Sequence, residues 1–319
     1  MLAIETVKLT KDYKVGFFQT RSRRALDSLD LRVEAGEVFG LLGPNGAGKT
    51  TTLKLLFRLV FPTSGSARIL GRELDDRSVH QRVGYLPENP YFYDHLTAEE
   101  LLNYTGRLFG IEKHALRGRV NQLLEKVGLS EPRHVALRKF SKGMVQRVGI
   151  AQALINDPDV VFLDEPMSGL DPLGRREVRD LVLQLKAEGK TVFFSTHILS
   201  DAETLCDRVA ILNRGKLEGC GELREILRLG VSATELVLEN PSEQLLDELR
   251  PYVISMVRTG DRVRLEIREE SDIPVALELA LRHKIRVASL NPVKKSLEDY
   301  FLAHVGANAV VGGQRLANR

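Results

Sequence analysis

Cysteine is nearly missing from this 319-residue chain: Cys206 and Cys220 are the only two, and they form no C-x-x-C pair. That excludes a disulfide framework and fits a reducing compartment. No apolar run approaches the length that crosses a bilayer, so a membrane role is expected to come through a partner. The first residues, Met1-Leu2-Ala3-Ile4-Glu5, lack the charged-then-apolar layout of a signal peptide. Charge of one sign is also scarce: 46 Lys+Arg against 43 Asp+Glu leave +3, which announces no nucleic-acid partner. Low-complexity blocks are absent, and 43% hydrophobic content is that of an ordinary globular protein large enough for two domains.

What is present is organised around one loop. Gly43-Pro44-Asn45-Gly46-Ala47-Gly48-Lys49-Thr50, with Thr51 after it, follows the apolar run Val38–Leu42 and leads into a helix predicted over Lys49–Leu59. Strand, glycine-rich turn and helix make G-x-x-x-x-G-K-[ST] a phosphate-binding loop. The glycines let successive N–H groups point inward, and the helix N-terminus adds the positive end of its dipole. Lys49 is expected to reach β- and γ-phosphates, and the Thr50 hydroxyl to sit on Mg²⁺.

Further along, Val160–Leu163 reads as a strand covered on both faces, ending in Asp164-Glu165. Asp164 is a candidate for holding Mg²⁺, and Glu165 for orienting and deprotonating the attacking water. Thr191–Phe194 is a second buried strand that ends at Ser195-Thr196-His197, where a neutral imidazole could hydrogen-bond a γ-phosphate oxygen. Alternating strands and helices predict an α/β core. Leu2–Leu9 reads as an edge or half-buried strand. Thr97-Ala98-Glu99-Glu100 is a capping box opening a helix expected to bury Leu101, Leu102 and Leu108. The basic stretch at Arg21, Arg23 and Arg24, beside Phe17-Phe18, reads as a solvated loop or as a contact for a partner or lipid headgroups. After Gly230 the pattern becomes βαββαβ, that of a small ferredoxin-like α+β domain.

Together these motifs resemble the ATP-binding-cassette (ABC) ATPases, over about residues 1–225 and in the family's order. Gly43–Thr50 is similar to its Walker A and Asp164-Glu165 to its Walker B and catalytic glutamate. Ser168-Gly169-Leu170-Asp171 is similar to its D-loop and His197 to its switch histidine. The resemblance implies that Tyr13 stacks on adenine. It also makes Ser141-Lys142-Gly143, within Phe140-Ser141-Lys142-Gly143-Met144, the signature usually written Leu-Ser-Gly-Gly-Gln. Glu88 stands where the family has the Q-loop glutamine; a carboxylate there can still meet Mg²⁺ or its water. Lys142 and Met144 depart from the usual Gly and Gln, and a methionine cannot make the glutamine's hydrogen bonds.

The resemblance further implies ATP and Mg²⁺ as ligands and a P-loop NTPase core at 1–228 with a helical subdomain at about 89–157. An accessory domain is expected at 229–305 and a disordered tail at 306–319. Two copies are expected to pair head to tail, each offering its signature to the other's ATP, and to drive a separate transmembrane permease docked near Asn89–Glu100. The chain is expected to lie on the cytoplasmic face of the membrane. Departures at Glu88 and the signature, with the ending Lys295–Phe301, resemble single-cassette exporters. The competing reading is a soluble ABC ATPase acting on ribosomes or DNA. Ribosomal members usually carry tandem cassettes and chromosomal ones a long coiled coil, and neither feature is present. A degenerate scaffold is disfavoured by Lys49, Glu165 and His197, and a sugar importer by the absence of a β-barrel regulatory pattern.

Overall fold

The computed structural model describes residues 1–15, 21–228, 231–267, 269–294, 297, 298, 300 and 301. Phe17-Phe18, most of the helix expected at Lys295–Val305, and the 306–319 tail lie outside the described residues. Contacts divide the chain into two compact units, one holding Met1–Leu223 and the other Arg224–Ala303.

The first unit opens with a long antiparallel hairpin, β1 (Leu2–Val15) and β2 (Arg21–Glu34). Next come β3 (Val38–Leu42) and α1 (Lys49–Leu56). Arg58 then adopts left-handed backbone (φ 55°), which ends the helix earlier than the apolar spacing suggests and leaves Leu59 exposed. β4 (Ser64–Ile69) and β5 (Arg72–Glu73) complete an antiparallel sheet of order β2-β1-β4-β5. β1 is therefore an inner strand: Ile4 is buried and Val7 exposed as the pleat alternates, and an irregularity at Lys8 (φ 47°) then resets the faces so that Leu9 is buried.

The second sheet carries the site. β6 (Val83–Leu86) is followed by α2 (Ala98–Leu108), α3 (Lys113–Lys126) and α4 (Lys142–Ala153), and then by β7 (Val160–Asp164). α5 (Pro172–Ala187), β8 (Thr191–Thr196), α6 (Leu199–Leu205), β9 (Arg208–Asn213) and β10 (Lys216–Glu222) complete it. The strand order is β10-β9-β3-β8-β7-β6, parallel except for the edge strand β10. β3, β7 and β8 are buried along their whole length. That is why each reads as an uninterrupted apolar run. Register is locked by a row of aromatics: Phe39 lies beside Phe193, and Phe193 beside Phe162, with ring centroids 5.6 Å apart in both pairs. Such pairs add about 0.5–1.5 kcal/mol beyond area burial. The ladder thus fixes which residues end these three strands on the common edge.

α2 begins with the expected capping box. Thr97 Oγ1 accepts from Glu100 N at 3.2 Å, and Glu100 Oε2 from Thr97 N at 2.9 Å. Leu101 and Leu102 are buried, but Leu108 is 70% exposed, because the last turn runs past the residues that cover them. β10 has no apolar run to announce it. It is an edge strand whose exposure alternates, joined to β9 by a turn through Arg214 (φ 49°) and Gly215 (φ 82°). Two successive positive φ values make a tight hairpin turn.

After α7 (Leu223–Arg228), the second unit runs β11 (Val231–Glu239), α8 (Glu243–Leu249), β12 (Ser255–Thr259), β13 (Arg262–Ile267), α9 (Asp272–Arg282) and β14 (Arg286–Lys294). Its antiparallel sheet has the order β12-β13-β11-β14, which is split-βαβ, ferredoxin-like topology. Leu236, Leu238, Val263 and Leu265 on one sheet face meet Leu245 and Leu249 of α8 and Ala276 and Ala280 of α9 in a separate core.

Candidate nucleotide site

The loops after β3, β7 and β8 leave the same sheet edge, and β8 lies between the other two strands. Leu42 pairs with Thr196, and Asp164 with Ser195, so the phosphate loop, Asp164-Glu165 and His197 are neighbours by register. This is the crevice at strand C-termini where α/β sheets bind ligands.

Gly48 opens α1 with φ 111°, and a Cβ there would stand 2.6 Å from the Ala25 carbonyl oxygen. Only glycine satisfies both constraints. The turn at Gly215 secures the loop from beneath: its N–H donates to the Ala47 carbonyl at 2.8 Å, and its own carbonyl accepts from Asp27 N at 2.8 Å.

Lys49 is buried, its ammonium donating to the carbonyls of Gly43 (2.7 Å) and Pro44 (3.3 Å) and pairing with Glu165 Oε1 at 3.1 Å. Glu165 Oε2 lies 2.8 Å from His197 Nδ1. A carboxylate only accepts, so Nδ1 carries the proton, and a neutral imidazole in this arrangement has no N–H left for a phosphate. The sequence expectation for His197 therefore needs either an imidazolium or a turned ring. Glu165 has left-handed backbone (φ 49°), uncommon outside glycine. Its N–H is held by Ser195 Oγ (3.0 Å) and Ser195 O (3.2 Å).

Asp164 lies beneath these groups, 1% exposed. Its Oδ1 accepts from Ser195 Oγ at 2.6 Å and Thr50 Oγ1 at 3.4 Å, while its Oδ2 has no hydrogen-bond partner. Burial raises its pKa; the Ser195 and Thr50 bonds oppose that, and the charges of Glu88 and Glu165 add to it. Tyr85 nearby is pushed up to about 12 by burial and by Asp164 and Glu88. An orphaned carboxylate oxygen beside a threonine hydroxyl, in negative surroundings, fits a hard divalent cation that takes its other ligands from water and phosphate. Among the described residues no cluster of three His, Cys, Asp or Glu side chains forms a metal cage, as such a cation requires none.

A cavity of about 1080 Å³ opens over the loop. Asn45, Gly46, Ala47, Gly48, Lys49, Thr50 and Thr51 line it, together with Tyr13, Glu88, Glu165, Ser168 and His197. Gly43 and Pro44 contribute through their carbonyls to Lys49. Ser141, Lys142, Gly143 and Asp171 do not line the cavity. Ser141 caps α4, accepting from Met144 N at 3.2 Å, and Asp171 caps α5, accepting from Gly174 N at 2.9 Å. Lys142 instead extends to the D-loop-like segment, where a side chain on Gly169 would collide with its Nζ.

Sequence reasoning missed part of the lining: Lys14, Arg23, Arg24, Ala25 and Arg214 also face the cavity. Arg23 and Arg24 belong to β2, not to a solvated loop, and Arg23 stands opposite Tyr13 in the hairpin. Arg24 is committed to Asp12 (2.9 Å) and Asp27 (3.1 Å). The signal was available in the positive charge one and two positions before Ala25, but only the hairpin register shows which way it faces.

A buried strand, glycine loop and helix with a lysine–glutamate–histidine chain define a P-loop nucleotide-hydrolysing enzyme. Comparison with known proteins specifies it. The ABC transporter family profile matches residues 26–168. An uncharacterized ABC transporter ATP-binding protein of Synechocystis sp. is 45% identical over 98% of this chain and 87% of its own. Nod factor export ATP-binding protein I of Burkholderia pseudomallei is 36% identical over 88% of this chain and 92% of its own. Among solved structures, the dimeric ATP-binding cassette MJ0796 in a post-hydrolysis state bound to ADP and Pi superposes with TM-score 0.63. That match has 28% identity and covers 69% of this chain and 99% of MJ0796. The chain belongs to the family of ABC transporter ATP-binding subunits, and it is an ATPase.

Proposed function

We propose that the chain powers a membrane exporter, working as a head-to-tail pair with a second copy and coupled to a separate permease on the cytoplasmic face of the membrane. One observation carries the pairing: Ser141, Lys142 and Gly143 stand outside the cavity of their own chain. A capped helix N-terminus is an anion site, and a two-fold dimer lets each copy present it to the other's nucleotide. The Nod factor export relative supports the outward direction. Tyr91 and Tyr93, 97% and 62% exposed just after cavity-lining Glu88, support Asn89–Glu100 as the permease-docking segment.

In this reading Tyr13 stacks on adenine, the loop amides and Lys49 hold the phosphates, and Thr50 and Asp164 hold Mg²⁺, with Glu88 beside its water. The ion, when bound, neutralises phosphate charge. Glu165 accepts the proton of the attacking water, and His197 fixes the carboxylate's orientation. Glu165→Gln in the full-length chain is expected to retain ATP, lose turnover and accumulate as a dimer by light scattering. Undiminished hydrolysis would remove Glu165 from this role, and a variant that stays monomeric with ATP bound would remove the pairing.

A further inference from the structure

Behind the catalytic edge a second cavity, about 450 Å³, is lined by Leu170, Pro172, Arg175, Arg179, Ser200 and Asp201. Asp201 is 3% exposed, and its Oδ2 has no hydrogen-bond partner. A buried carboxylate oxygen left unpaired loses its hydration with nothing to offset it, so its retention needs an explanation. Arg175 lines the same cavity but spends its Nε on the Leu170 carbonyl, 3.3 Å away. Burial raises the Asp201 pKa; Arg175 and Arg179 act against it through space, Glu165 with it and His197 against it.

The connectivity gives this arrangement its meaning. The segment from Glu165 to Leu170 is one series of turns, with Ser168 N donating to Glu165 O (3.1 Å) and Leu170 N to Met167 O (3.4 Å). Its first residue bears the candidate base, and its end is held by Arg175. Asp201 lies on α6, four residues after His197. The cavity therefore joins the loop that carries Glu165 to the loop that carries His197.

We propose that Asp201 is a positioning residue for ATP hydrolysis: its carboxylate receives the Arg175 guanidinium when the 165–170 turns rearrange, so the loops bearing Glu165 and His197 shift together. Arg175 then has two alternative acceptors, the Leu170 carbonyl and Asp201, and the cavity is the space it crosses. Two discrete pairings make a switch, whereas a permanent ion pair would make a rivet. The inference rests on the proposed roles of Glu165 and His197.

The test uses the full-length chain with Asp201→Asn, Arg175→Met and the double variant, measuring steady-state kcat, ATP affinity by fluorescent-nucleotide titration, and melting temperature. Each single variant is expected to lose about tenfold in kcat with ATP affinity unchanged, and the double variant no more than the worse single one, since coupled residues are not additive. Arg175→Lys, which keeps a charge for Asp201 but loses the forked guanidinium, is expected to fall between wild type and Arg175→Met. Wild-type kcat in either single variant, multiplied losses in the double, or an equal loss of ATP affinity would overturn the proposal. If Asp201→Asn does not fold, Arg175→Met decides alone: a kcat within about twofold of wild type refutes it. Glu165→Gln runs in parallel. Persistent turnover there would defeat the site reading itself, whereas its loss alongside normal Asp201→Asn turnover would defeat only this inference.

Discussion

Ser195→Ala tests the least advertised residue of the site. The Ser195 hydroxyl donates to Asp164 Oδ1 at 2.6 Å and accepts from Glu165 N at 3.0 Å, fully buried. Glu165 N keeps a second acceptor in the Ser195 carbonyl, so its loss is small. Asp164 is left with the long 3.4 Å bond from Thr50 alone. A hydrogen bond to a charged group is worth about 1.5–3 kcal/mol. In a unit of more than 200 residues, melting temperature moves by about 2–4 °C per kcal/mol, so a fall of roughly 3–12 °C is expected. The pH dependence follows in sign. Burial already raises the Asp164 pKa and the Ser195 bond lowers it, so the variant's pKa rises further. A carboxyl with a raised folded pKa costs stability above that pKa and regains it as pH falls through it. The gap between variant and wild type is therefore largest near neutrality and narrows on acidification. Differential scanning calorimetry across pH measures both. A melting temperature within about 1 °C of wild type at pH 7, or a gap that widens in acid, would refute the reasoning.

Two further outcomes are expected. Gly48→Ala places a methyl against the Ala25 carbonyl at a left-handed position, a strain of about 1–3 kcal/mol; nucleotide titration should show ATP binding lost, and retained affinity would contradict the loop geometry. Thr97→Ala removes the acceptor of the α2 capping box and should cost about 0.5–2 kcal/mol in urea unfolding. ATPase activity without a permease should stay unchanged, because Thr97 does not line the nucleotide cavity.

Much of this site was legible because burial writes itself plainly. Strands covered on both faces read as apolar runs, and the first polar residue after each run, Asp164 for one and Ser195 for another, marks the sheet edge. The phosphate loop was legible for a similar reason, since its glycines answer a backbone demand. What escaped depends on partners distant in sequence. Ser195 is an unremarked polar residue until β7 and β8 align and set it against Asp164. Arg23 reads as solvent-facing until the hairpin pairs it with Tyr13. β10, with exposed positions alternating and glycines inside it, carries no strand signal. It is defined by the turn at Arg214-Gly215, which also supports the phosphate loop. Leu108 fits its helical period and is exposed, because period predicts a face but not whether another element reaches that far along it, whereas Leu59 is exposed because the helix stops before it.

The pairing of Lys49 with Glu165 has a consequence for binding as well as for chemistry. Lys49 is held by two carbonyls and one carboxylate, and a phosphate that takes the ammonium must displace Glu165 from it. Both side chains are almost wholly buried, so this contact is little screened. Glu165→Gln keeps the shape and removes the competing charge. It should therefore tighten binding of a non-hydrolysable ATP analogue, by about fivefold to thirtyfold if the released competition is about 1–2 kcal/mol. Titration at protein concentrations where light scattering detects only monomer separates this gain from any effect of pairing. Adenosine, which has no phosphate to claim Lys49, should bind variant and wild type alike. Unchanged or weaker analogue binding would mean that Glu165 does not compete for Lys49, and the contact would then be incidental to nucleotide capture. A gain for adenosine as large as for the analogue would point to a general loosening of the cavity.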